Sequence, residues 1–183
     1  MTTFNDIQII KREFFSRRNG VIVDTLRRAG SPYRIIFGLT LPQIKEIAEA
    51  VGINGSIAEK LWENRTTRES AMLAPYLFPE DYFTKENALK MIEEAPAPEI
   101  IDILCMSRLR NLENALTIAD VLSSENKAYP ALRLYINLIQ TGKIKSEEKL
   151  EEIKKYASGL ISDQSCGSLA RQVTDEISFL AEG

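Results

Sequence analysis

Residues 37–51 read FGLTLPQIKEIAEAV and residues 58–78 read AEKLWENRTTRESAMLAPYLF, two neighbouring segments with one layout. In the first, Thr40 is placed to cap a helix with Pro42 in its first turn, and Ile44, Ile47, Ala48 and Val51 fall on one face. Residues 52–55, with a glycine at each end, interrupt that helix, and a second apolar periodicity starts at once. A short break between two amphipathic helices predicts an antiparallel pair. Its apolar stripe is too wide to bury alone, so neighbouring pairs must stack.

The same pattern runs outward. Periodicity predicts helices over about 3–18 and 20–29, the second ended by Gly30-Ser31-Pro32, then over about 56–64 and 67–78. Further helices are predicted over about 84–94, 99–110, 113–123, 128–141, 146–158 and 163–181. Pro75 falls inside the 67–78 segment, where it should kink the helix, whereas Pro130 sits in a first turn that tolerates it. No stretch alternates with a period of two between hairpin turns, so the chain is read as all-α. Helix pairs recurring every ~30–45 residues with short loops indicate an α-α superhelix, a solenoid of HEAT-like helical repeats, in one domain over residues 1–183. Such a solenoid lines its concave face with one helix from each pair, and a site is expected there; a compact non-repeating bundle is the alternative.

Composition narrows the chemistry. With 44% hydrophobic and 27% charged residues, the chain can bury a core without metal or disulfide staples. It contains no histidine, which removes Ser-His, Cys-His and His-metal mechanisms and leaves carboxylate, lysine, tyrosine or electrostatic chemistry. Cys105 and Cys166 lack a CxxC partner, so no metal site, redox pair or cofactor is expected. No apolar run approaches the roughly 20 residues of a membrane span, and the N-terminus lacks the order of a secretory signal. A cytoplasmic protein without a membrane partner is the expectation. The net charge of −3 is uneven: up to Ser70 there are 11 Lys or Arg against 8 Asp or Glu, and beyond it 12 against 18. The pairs Lys11-Arg12, Arg17-Arg18 and Arg27-Arg28 read either as a solvated helix face or as an edge that contacts phosphates.

Phe37-Gly38, Pro42, Leu61-Trp62 and Glu69 give the quoted stretch a further meaning. Together they resemble the AlkD-like DNA alkylation repair family, whose members open a helix with an aromatic-Gly-Val-x-x-Pro-x-Leu-Arg segment. A Leu-Trp pair follows, then a Glu that begins an Ala-rich apolar helix. In themselves these residues read as packing: Gly38 and Pro42 set a turn and a helix start, Trp62 packs between helices, and Glu69 pairs with Arg65 or Arg68. The resemblance extends from about Tyr33 to Arg133. It implies a DNA glycosylase, a hydrolase of N-glycosidic bonds that releases N3- or N7-alkylated purines, with double-stranded DNA as its partner.

Two residues carry the implied chemistry. Asp102, within PEIIDIL at 98–104, is an acid amid Ile and Leu that must be solvated, paired or functionally placed, and it falls on the family's catalytic Asp. Arg133, in YPALR at 129–133, falls on a family Arg of the concave face and would bind a phosphate. An alkylated purine already bears positive charge, so a carboxylate that stabilises an oxocarbenium-like sugar and orients a water suffices without a general acid. The alternative for this pair is a salt bridge stapling neighbouring repeats. Pro98 stands where the family has a Trp, and Ser168 lies near the place of a second. Those tryptophans hold the DNA backbone beside the lesion. Their absence leaves open a second hypothesis, a non-catalytic α-solenoid that binds a protein or nucleic acid through its concave face.

Overall fold

The computed structural model describes residues 3–182; Met1, Thr2 and Gly183 of the expected 1–183 domain lie outside the described residues. Among the described residues the secondary structure is helical, apart from one isolated bridge between Ile35 and Thr67. Two compact units divide the chain, one of residues 1–82 with 94–103, the other of 83–93 with 104–183.

The first unit holds α1 (Thr3–Ser16), α2 (Gly20–Arg28), α3 (Leu41–Val51), α4 (Gly55–Glu63) and α5 (Arg68–Leu77). The starts of α2, α3 and α4 follow from local hydrogen bonds. The Asn19 side chain accepts the Val21 and Ile22 N–H groups, Asn54 accepts that of Ile57, and Gln43 reaches back to the Thr40 N–H at 2.9 Å. Helix α3 packs on α5, α4 on α5, and α1 on α4. The central helix is α5, buried at every position except Tyr76. Pro75 is accommodated because the helix ends two residues later, at Leu77.

The second unit holds most of α6 (Lys85–Glu94), the end of α7 (Pro98–Ser107), α8 (Ala115–Ser124), α9 (Ala128–Gln140), α10 (Glu147–Ser158) and α11 (Gly167–Glu182). Helix α9 packs on α8 and α11, and α10 on α11. One polar cluster joins α8, α9 and α10: the Tyr135 hydroxyl donates to Asp120 at 2.6 Å, and Lys149 Nζ sits 2.9 Å from the same carboxylate. Burial, and then this hydrogen bond, push the Tyr135 phenol pKa up.

Two helix boundaries differ from the sequence expectation by three residues or more, the others by two at most. Helix α7 stops at Ser107 instead of continuing to 110, and the chain tightens into a 3-10 turn over Leu109–Asn111 that buries Leu109 completely. Helix α11 begins at Gly167 instead of 163, because the Asp163 carboxylate competes for the backbone. Its Oδ1 accepts the N–H groups of Ser165 at 2.7 Å and Cys166 at 3.1 Å, together with the Ser165 hydroxyl at 2.6 Å. Donors aimed at the charged form hold this carboxyl well below its ordinary value, at about 2.

Candidate nucleic-acid interface

The turn over Phe37-Gly38-Leu39 is fixed by Glu69 at the start of α5. Its carboxylate is wholly buried and accepts backbone N–H bonds from Phe37 at 3.0 Å, Gly38 at 2.9 Å and Leu39 at 3.3 Å. Arg68 supplies the compensating charge. Its guanidinium lies 3.3 Å from Glu69, donates to the Leu39 carbonyl at 2.9 Å, and grips Glu99 through Nε and Nη2 at 2.8–3.1 Å. Tyr33 lies close by, and its buried hydroxyl is pushed to a raised pKa first by burial and then by the Glu99 charge. Trp62 is buried, with its indole N–H on Glu94 at 2.8 Å. Glu69, Arg68 and Glu99 are committed to one another, and the first two hold the turn and the start of α5.

The basic residues of 1–39 divide into two sets, and Lys45 and Lys60 of the same unit are exposed as well. Arg17 is committed to Glu13 and Glu46, and Arg27 donates to the carbonyls of Tyr33 and Arg34, closing the turn after α2. Lys11, Arg12, Arg28 and Arg34 are exposed, and their side chains make no hydrogen bond or ion pair with a described residue. Arg18 is also exposed, and its guanidinium lies 4.3 Å over the ring of Phe15. Residues 1–39 contain seven Lys or Arg against three Asp or Glu, in a chain whose net charge is −3. Exposed cations without partners fit both sequence readings of the paired basic residues, a solvated helix face and an edge that contacts phosphates.

Asp102 lies on α7 in the first unit and is half-buried, beside the buried Ile100, Ile103 and Leu104. Pro98 opens that helix and is exposed. Arg133 belongs to the second unit and is the one position of α9 between Pro130 and Ile139 that reaches solvent. It lies 5.8 Å from the Tyr129 ring centroid and 3.4 Å from the Tyr129 hydroxyl. Ser168 is exposed in the first turn of α11. The two candidate residues therefore fall in different units, each on a helix that is otherwise largely apolar. The stack of Arg18 on Phe15 was missed in the sequence, although an aromatic three residues before an arginine in a basic helix is a usable signal. Among the described residues no cluster of three or more His, Cys, Asp or Glu could hold a metal ion, and no helix is long and apolar enough to cross a membrane.

Successive packed helix pairs define the class of fold, a HEAT-like helical repeat. The particular likeness is to a solved structure from a family described as related to the HEAT-like repeat DNA glycosylases with affinity for branched DNA structures. The two superpose with a TM-score of 0.74 at 14% identity, over 93% of this chain and 73% of that one. No family model matches the sequence, and no curated protein matches it. The all-α, HEAT-like fold read from the sequence is thus the observed one.

Proposed function

We propose that this protein binds DNA through the positive edge of its first unit. The observation that carries this reading is the set of four exposed, uncommitted cations within residues 1–39, Lys11, Arg12, Arg28 and Arg34, in a chain that is acidic overall. Uncommitted Lys and Arg side chains release counterions when they meet phosphates, and this release is the main source of affinity for DNA independent of sequence. The branched-DNA affinity of the similar family supports DNA as the partner over a protein. Binding to labelled duplex and branched DNA across a salt series tests the reading. Replacing all four cations with Gln is expected to reduce the slope of log affinity against log salt by about 3–4, with no change in melting temperature. An unchanged slope, or no binding to either DNA at low salt, overturns the proposal.

A second reading adds catalysis, favoured by the half-exposed carboxylate of Asp102 on an otherwise apolar stretch of α7. Here Asp102 stabilises the oxocarbenium-like sugar of an N3- or N7-alkylated purine nucleotide and orients the attacking water. Arg133, on its own helix, is a phosphate contact. The purified protein is then expected to release 7-methylguanine or 3-methyladenine from alkylated DNA, and Asp102→Asn to abolish the release. No release, in an assay where a control glycosylase is active, removes the catalytic reading and leaves the binding one standing.

A further inference from the structure

Helix α1 turns two different faces to its surroundings. Ile10 and Phe14 are buried, at 2% and 0% exposure, and anchor the helix to the first unit. On the other side Gln8, Lys11, Arg12 and Phe15 are exposed and follow one another at three- and four-residue spacing, so they form one stripe. Phe15 is 57% exposed. Just past the helix end, the Arg18 N–H bonds the Phe15 carbonyl at 3.3 Å, and this turn seats the guanidinium 4.3 Å over the Phe15 ring. The acids of α1 do not compete with the stripe: by the helical period Asp6 and Glu13 fall on the opposite side, and Glu13 is held by Arg17.

We propose that the Phe15–Arg18 stack is a platform for an unpaired nucleobase, and that Lys11 and Arg12, one helical turn earlier, hold the phosphates of the same strand. The inference rests on the DNA-binding reading and names the part of DNA that this surface takes. A protein that binds only duplex phosphates needs cations and gains nothing from a phenyl ring in water. Single-stranded nucleic acid is held differently, by cations that track the backbone and aromatic or guanidinium planes on which bases stack. The stripe carries both kinds of group in adjacent turns and has no carboxylate on it. Its charge complements a nucleic-acid strand and disfavours a basic or neutral surface as the occupant.

The test compares a labelled oligothymidylate with a blunt duplex of matched length, at one salt concentration, by fluorescence anisotropy. Phe15→Ala is expected to weaken oligothymidylate binding by roughly tenfold while changing duplex binding by less than about twofold, and Phe15→Tyr to retain wild-type affinity for both. Because Phe15 is exposed, the melting temperature should stay constant across the series. Equal losses on both probes, or no loss on the single strand, overturn the platform while leaving DNA binding intact. If the wild-type protein binds neither probe, the DNA-binding reading falls first and the platform with it.

Discussion

Glu69→Ala is expected to lower the unfolding free energy by about 3–5 kcal/mol, the range for breaking a buried charge pair from one side. The carboxylate has no exposure and accepts three backbone N–H bonds, so its removal strands three donors in the core. Arg68 keeps Glu99 but loses a carboxylate 3.3 Å from its guanidinium. Urea denaturation gives the comparison, with a lower midpoint at constant m-value as the expected signature. Glu69→Gln keeps an acceptor oxygen and should lose about half as much. It serves as the measurable variant if the alanine form does not fold. A loss below about 1 kcal/mol in both variants would show that the turn holds without its carboxylate.

Gly38→Ala is the second large effect, at about 3 kcal/mol or more. Gly38 has φ +83°, a region where any Cβ is strained, and a Cβ placed there would come within van der Waals overlap of the Asn19 carbonyl oxygen. Asn19 cannot simply retreat, since its side chain caps α2 and its N–H bonds the Phe37 carbonyl at 2.8 Å. Gly30 is an internal control. It has a similar φ of +78° with nothing within 4 Å of an added Cβ, so Gly30→Ala should cost only the backbone strain, about 1–2 kcal/mol. Thermal and urea unfolding of the two variants separates strain from collision, and equal losses would rule out the collision.

Most of the helical framework was legible because periodicity depends on which residues face the core. The start of α3 at Thr40 with Pro42 behind it and the break at Gly52 follow directly from local chemistry. Periodicity failed where a side chain offered the backbone a competing partner, as Asp163 does ahead of α11, or where one apolar residue had to turn inward, as Leu109 does after α7. Sequence reading paired Glu69 with Arg65 or Arg68, and Arg68 is its neighbour. The three N–H bonds to residues 30–32 positions earlier were invisible, because nothing local announces so distant a partner. Glu99 lay in the segment that drew attention to Asp102, yet its grip on Arg68 was not read either. Phe14 and Phe15 look alike in sequence. Only the packing tells that the first is fully buried and the second stands in solvent beneath an arginine.

The carboxylate under the Phe37–Leu39 turn also bears on what such residues can report about ancestry. A domain has only about 5–15 kcal/mol of stability, so a change that removes several of these is selected against whether or not the protein catalyses anything. Folding alone is therefore sufficient to retain a glycine at position 38 and a glutamate at position 69 through any change of ligand. Descendants of one scaffold can keep both residues while their chemistries diverge, and the pair then records shared architecture and not shared activity.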